Sequence, residues 1–315
     1  MHIRIWGVRG SLATPMTTKD LKAKLQSLLK EASPGDLSSP EAIQSLIDRS
    51  PHAATYGGNT SCLEVSFDGS VFILDAGTGI RNLATQLLSD GRATTSNLHI
   101  FLTHFHWDHI CGFPFFVPIY QPGRRLDIWS GRSDVEELLR VQMSSAHFPV
   151  KWDKLASDIH CHHLEEGPAQ QIAGAEVRIL SMIHPDKAFG YRIDRNGRSI
   201  CYLTDTEVSK NPNALAKPYA DFVEGADVVV VDAMYGFLEY HEKINFGHST
   251  IYNWIDFFKD SRIGELVIFH HDPNADDAAV TQLLRSARSY KDIAAPDARW
   301  SLSAAYEGQE WDLGK

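Results

Sequence analysis

Apolar side chains alternate with polar ones, or run together over strand-like lengths, at residues 2–8, 62–67, 71–75, 98–103 and 126–129. Residues 80–88 and 134–146 carry apolar positions at helical spacing instead. A second series of strand-like segments covers 158–163, 175–183, 189–194, 199–204, 227–232 and 266–270, with helices predicted over 212–223, 249–259 and 276–289. The pattern falls into two halves, each a sheet with outer helices. Periodicity alone predicts a mixed α/β protein and no more. No internal repeat or low-complexity tract is visible.

One stretch stands outside the two halves. Over residues 17–52, Leu21, Leu25, Leu28 and Leu29 fall on one helical face, with Thr17 or Thr18 able to cap its start. Pro34-Gly35-Asp36 breaks the pattern. Ser39-Pro40-Glu41 then reads as an N-cap followed by proline at the first helical position, and Ile43, Leu46 and Ile47 supply a second apolar face. The segment is predicted to be a helical hairpin inserted after the first strand. It is either decoration, or a lid or homodimer contact, since the chain returns from it at Tyr56-Gly57-Gly58.

Composition narrows the class. A chain of 315 residues, 43% hydrophobic and 22% charged, reads as an ordinary globular protein, taken as one domain over 1–315. No apolar run approaches the ~18 residues of a membrane span. The N-terminus enters a strand at Ile3 and Ile5 with no signal-peptide pattern, so the expected location is the cytoplasm. Cys62, Cys111, Cys161 and Cys201 form no CxxC pair and suggest no disulfide framework. The formal charge is −10, with 40 acidic against 30 basic residues, and Arg124-Arg125 is the only adjacent basic pair. That balance weighs against a large nucleic-acid partner. It leaves room for a small phosphate ester, because bound divalent cations would invert the local field.

The chemistry concentrates at Thr103-His104-Phe105-His106-Trp107-Asp108-His109, directly after the apolar Leu98, Ile100, Phe101 and Leu102. Four metal-ligand side chains lie within six residues. Imidazole with carboxylate suits zinc or a related divalent metal. Neither a continuous helix nor a continuous strand would aim all four at one point, whereas a strand ending in a loop and a short helical turn can. His104 and His106 would then reach one metal, and Asp108 and His109 a second beside it.

Further motifs follow in order: Ser181-Met182-Ile183-His184-Pro185, Tyr202-Leu203-Thr204-Asp205-Thr206, Gly247-His248-Ser249-Thr250 and Val267-Ile268-Phe269-His270-His271-Asp272. Upstream stand Trp6-Gly7-Val8-Arg9-Gly10-Ser11, Tyr56-Gly57-Gly58-Asn59-Thr60-Ser61-Cys62 and Leu74-Asp75-Ala76-Gly77-Thr78-Gly79. As an ordered set they resemble the metallo-β-lactamase fold hydrolases, in the branch of ribonuclease Z and the cyclic phosphodiesterases. The resemblance implies a four-layer αββα sandwich, from which residues 17–52 depart as an insertion. It also implies a ligand set. His104, His106 and His184 would hold a first metal, and Asp108, His109 and His270 a second, with Asp205 bridging both. The metals expected are two divalent ions, zinc first, with manganese or iron as alternatives. A diiron oxygen-reducing site would be expected to have a carboxylate at His106, and a true lactamase a cysteine in place of Asp205.

Around this set, Asp75 is expected to orient a ligand histidine. His248 falls outside the ligand count. In ribonuclease Z-like enzymes the matching histidine acts on the scissile phosphate with a glutamate behind it. Here Asp232 stands at that glutamate's place. His248 is therefore read as a general acid or phosphate contact, with Asp232 orienting it. Asp108 counts among the catalytic groups as well as the ligands. Asn59, Thr60 and Ser61 could offer an amide and hydroxyls to a phosphate, or could simply form a tight turn. His160-Cys161-His162-His163 lies in an alternating strand that sends neighbours to opposite faces, so it is not read as a metal cluster.

The reading is a dinuclear metal phosphodiesterase acting on a small phosphodiester, such as a cyclic nucleotide or cyclic ribose phosphate. The alternatives are a ribonuclease Z-like nuclease, a glyoxalase-like ester or thioester hydrolase, and a silent metal-bound regulatory protein.

Overall fold

The computed structural model describes residues 1–208 and 212–314. Its frame is two seven-stranded sheets. The first is built from β1 (His2–Gly7), β2 (Cys62–Phe67), β3 (Ser70–Leu74), β4 (Asn97–Phe101), β5 (Arg125–Ser130) and β6 (Asp158–His163). The second holds β7 (Gln170–Ile172), β8 (Ala175–Met182), β9 (Ala188–Arg195), β10 (Arg198–Leu203), β11 (Val228–Asp232), β12 (Glu265–Phe269) and β13 (Ser301–Ala304). The chain then returns to the first sheet as β14 (Glu310–Asp312), antiparallel to β1. The strand orders are β14-β1-β2-β3-β4-β5-β6 and β13-β12-β11-β10-β9-β8-β7.

Helices complete the layers: α1 (Thr18–Glu31), α2 (Pro40–Arg49), α3 (Gly79–Ser89), α4 (Arg92–Thr95), α5 (Trp107–Ile110), α6 (Val135–Gln142), α7 (Pro212–Val223), α8 (Phe237–Glu242), α9 (Ile251–Phe258) and α10 (Asp277–Ala294). Ile5, Val65, Phe72 and Phe101 of one sheet meet Val177, Tyr191, Tyr202 and Phe269 of the other in a core between the sheets. Ile80, Leu83, Leu87 and Leu139 cover the outer face of the first sheet. Tyr219, Trp254, Ile255 and Phe258 cover that of the second. The result is the αββα sandwich expected from the resemblance.

The structure moves one strand. Residues 158–163 were grouped with the second half by sequence, yet β6 pairs parallel with β5, from Arg125 opposite Asp158 to Ser130 opposite His163. Alternation marks a strand without naming its neighbour. Here α6 supplies the crossover that a parallel pair requires. The short strands β7, β13 and β14 fall below the length at which periodicity speaks.

In the insertion, Thr17 caps α1 with a capping box to Asp20, and Ser39 caps α2 with Pro40 at its first position. The apolar stripe of α1 does not enter the core, for Leu21, Leu25 and Leu29 are exposed and no residue of the helix is buried. On α2 only Leu46 is buried. What ties the hairpin down is polar. Lys24 Nζ lies 2.7 Å from Asp277 Oδ2 and 2.6 Å from the carbonyl of Ala54. Asp277 Oδ1 accepts from the backbone N–H of Tyr56 at 3.0 Å. No helix among the described residues is long and apolar enough to cross a membrane.

Candidate metal centre

Strands β3 and β4 run parallel in the first sheet, as do β10, β11 and β12 in the second. Their C-terminal ends therefore open on one edge of the sandwich. Asp75 and His270 directly follow β3 and β12, Asp205 follows β10 after Thr204, and Asp75, Asp205 and His270 each adopt a left-handed backbone, with φ of 61°, 55° and 58°. Non-glycine residues rarely hold this conformation, and they cluster where function demands it. The turn swings each side chain off the strand direction into the space between the sheets.

Ligand atoms of His104, His106 and His184 lie within 4.8 Å of one another, as do those of Asp108, His109 and His270. Asp205 sits between the two groups. Its Oδ1 is 3.9 Å from His104 Nε2 and 3.9 Å from His184 Nε2. Its Oδ2 is 3.0 Å from His109 Nε2 and 3.3 Å from His270 Nε2. One carboxylate thus faces both triads, one oxygen to each. Asp108 Oδ2 is 3.0 Å from His270 Nε2 and accepts from the backbone N–H of Ser11 at 2.7 Å. Gly10 permits this approach, since a Cβ there would sit 2.4 Å from the His270 ring.

The far sides of the rings are held by the protein. His109 Nδ1 donates to Asp75 Oδ2 at 2.7 Å, and Tyr202 Oη donates to the same oxygen at 3.1 Å. Thr103 bonds Asp75 through its backbone N–H at 2.8 Å and its hydroxyl at 2.9 Å. His184 Nδ1 donates to the carbonyl of Gly247 at 3.0 Å. Such partners fix the tautomer that leaves Nε2 as a lone-pair donor.

The electrostatics suit cations. Burial, with neighbouring imidazoles, pushes His104 well below the usual histidine value, and burial pushes His184 down, so both rings are neutral and ready to donate a lone pair. Burial opposes charge at His109 too, but Asp205, Asp108 and Asp75 outweigh it and raise its pKa. The positive charge those carboxylates favour is what a metal would bring. His104 Nε2 is buried with no hydrogen-bond partner. An orphaned ring nitrogen aimed at a carboxylate oxygen fits a divalent ion held between them.

His248 lies beside the cluster. Its Nδ1 is 3.0 Å from Asp232 Oδ2, and its ring stacks on His270 with centroids 5.0 Å apart. Burial opposes protonation, but Asp232 prevails and the His248 pKa is pushed up to about 9. His248 also forms a ligand-distance group with Asp205 and His270. A cleft of about 580 Å³ lies beside His184, the one residue of the cluster that borders it, and is lined also by Glu165, Glu166, Asp186, Lys187 and Phe189. That volume is in the range of small-molecule sites.

Of the two readings of Asn59, Thr60 and Ser61, the hydrogen bonds favour the turn. The side-chain amide of Asn59 donates to Glu307 at 2.9 Å, Thr60 exchanges hydrogen bonds with Thr78, and Ser61 is fully buried. Asn59 and Thr60 spend their side chains within the fold, whereas Ser61 Oγ is buried without a hydrogen-bond partner. Arg9 is likewise buried, donating to the carbonyls of Gly57 and Ala275. His160, His162 and His163 pair separately with Asp158, Asp127 and the Gly131 carbonyl. Thr103, Tyr202 and Glu207 were not singled out by sequence, and only their place in the fold reveals them.

The family model for the beta-lactamase superfamily domain matches residues 71–271, and the chain belongs to that family. It is a metal-dependent hydrolase. Ribonuclease Z of Thermoplasma acidophilum is 26% identical over 269 residues, covering 71% of this chain and 83% of that protein. Ribonuclease Z of Staphylococcus carnosus is 30% identical over 146 residues, covering 43% of this chain and 44% of its own length. A solved structure titled as a diphosphatase from the PhnP family superposes with a TM-score of 0.61 at 18% identity, covering 99% of this chain and 98% of that one. Relatives with the name ribonuclease Z give no support to the charge-based expectation against a large nucleic-acid partner.

Proposed function

We propose that the protein is a dinuclear phosphodiesterase acting on a small phosphodiester. The observation that carries this reading is Asp205, whose two oxygens face separate triads at 3.0–3.9 Å, with the His248–Asp232 pair 3.0 Å apart alongside. His104, His106 and His184 would hold one divalent ion, and Asp108, His109 and His270 the other, with Asp205 shared. Zinc suits this donor set best, with manganese or iron as substitutes. Two such ions supply hydroxide near neutral pH and positive charge for the phosphoryl oxygens. His248 gives a proton to the leaving oxygen, and Asp232 holds the ring in the required tautomer. Asp75 keeps His109 turned inward. The small-substrate reading rests on the charge of the chain, 40 acidic against 30 basic residues with no long basic run to grip a polyanion.

A second reading, cleavage of RNA, draws support from the name shared by the two relatives. One experiment separates the two. Protein loaded with zinc or manganese is given bis(p-nitrophenyl) phosphate, a cyclic nucleotide, a thioester and a structured tRNA precursor, each over a salt series. We expect hydrolysis of the small diesters with a shallow salt response. Efficient RNA cleavage with a steep loss of affinity in salt would replace the first reading with the second, since each neutralised phosphate releases counterions. Thioester turnover alone would overturn both.

A further inference from the structure

We propose that Glu207 is a positioning residue that sets His184 and His248 together. The inference rests on the reading of His184 as a metal ligand. Glu207 lies two residues beyond Asp205 and is fully buried. A buried carboxylate persists only where hydrogen bonds replace its water. Its oxygens accept from Tyr240 Oη at 2.9 Å, from the backbone N–H of Asn245 at 2.9 and 3.1 Å, and from the backbone N–H of Gly247 at 3.3 Å. All three donors belong to the segment that runs from α8 to His248.

The same residue is sewn to the His184 loop. Its backbone N–H donates to the carbonyl of Ile183 at 2.8 Å, and the N–H of Ile183 donates to Thr206 Oγ1 at 3.0 Å. The peptide of Gly247 closes the circuit. Its N–H reaches Glu207, and its carbonyl accepts from His184 Nδ1 at 3.0 Å. Gly247 holds φ at 88°, and a Cβ there would stand 2.2 Å from His184 Nδ1. No other residue type fits this approach without displacing the ring.

Packing alone does not hold the segment in place. Phe237, Leu238, Ile244 and Phe246 all expose their side chains, and no residue of α8 is buried. With few buried apolar contacts, its position depends on polar ties. Lys243 reaches Asp272 at 3.2 Å, and the Glu207 carboxylate holds the segment at Tyr240 within α8 and at Gly247 next to His248. Losing it should free the Gly247 carbonyl, and with it the orientation of His184, while leaving His109 and His270 as they are.

The test uses the full chain as Glu207→Ala, Glu207→Gln and Tyr240→Phe. Zinc is titrated against a competing chelator to resolve two binding steps, and kcat and KM are measured on bis(p-nitrophenyl) phosphate. Glu207→Ala should weaken one zinc step by roughly 10–100-fold, as loss of an outer partner does, and leave the other unchanged. It should lower kcat more than KM. Glu207→Gln keeps one acceptor oxygen and should fall between, and it carries the test if the alanine variant does not fold. Tyr240→Phe leaves Gly247 tied and should bind zinc as the wild type does. Wild-type zinc binding in a folded Glu207→Ala or Glu207→Gln protein would overturn the inference, as would equal weakening of both steps. The zinc arm reads Glu207 whatever the substrate proves to be, so a failure of the phosphodiesterase reading shows separately, as absent diester turnover in wild-type protein with both zinc ions bound.

Discussion

The Nδ1–H of His248 is spent on Asp232, which leaves Nε2 as the atom free to meet a substrate oxygen. Aspartate in place of the expected glutamate does not break the pair, because the end of β11 and the loop leading into α9 bring the two side chains to 3.0 Å. His248→Ala should keep both metals and lose about 10²–10⁴-fold in rate, the range for a general acid. Elemental analysis beside kinetics checks this. Loss of a metal would make His248 a ligand, and unchanged turnover would make it a packing residue. At this scale the histidine spacing from His104 to His109 made the candidate cluster legible, since few other arrangements use that pattern. Glu207 was not legible, because nothing local connects residue 207 to residues 240–247. Asn59, Thr60 and Ser61 stayed open between phosphate contact and tight turn, because the same polar side chains serve either a ligand or their own turn.

Among the elements, the α1–α2 hairpin shows how far periodicity reaches. The caps at Thr17 and Ser39 follow directly from residue type. The leucine stripe of α1 follows too, but a stripe does not say what lies opposite it, and here Leu21, Leu25 and Leu29 face outward. The hairpin is latched at Asp277. Burial raises that carboxyl's pKa, but Lys24, the Tyr56 N–H and Thr55 outweigh it and hold it below the usual value of 3.8. A depressed carboxylate stabilises fully above its unfolded pKa and loses that contribution as pH falls through the folded one. The latch should therefore be closed at neutral pH, begin to weaken below about pH 4 and open as the pH falls through the depressed pKa beneath it. Pepsin digestion at descending pH should cut first near residues 18–50. Asp277→Ala should expose Lys19, Lys22 and Lys30 to trypsin already at neutral pH, with metal content unchanged. An unaltered cleavage pattern would show that other contacts hold the hairpin.

Across the whole molecule, the centre draws on both sheets. His104, His106, Asp108 and His109 follow β4 of the first, while His184, Asp205 and His270 follow β8, β10 and β12 of the second. A metal held by both binds the docked state and not a separated one, so it should stabilise the fold through linkage. Free metal at a hundred times its Kd adds about 2.7 kcal/mol. Chelation should accordingly lower the melting temperature by several degrees, and zinc should restore it. An unchanged melting temperature would place the metals on a surface that unfolding does not disturb.

The spread of those ligands along the chain also bears on how the protein is born. His104 and His270 are separated by 166 residues, 270 less 104, in a chain of 315. At about 5–20 residues per second, a ribosome needs roughly 8–33 seconds to pass from one to the other. Through that interval the newborn chain offers only a partial set of imidazoles and carboxylates, beside a second sheet that is still being made. With the proposed ligands, the full set would exist only once β12 has been made, so the dinuclear site would fill after both sheets are in place.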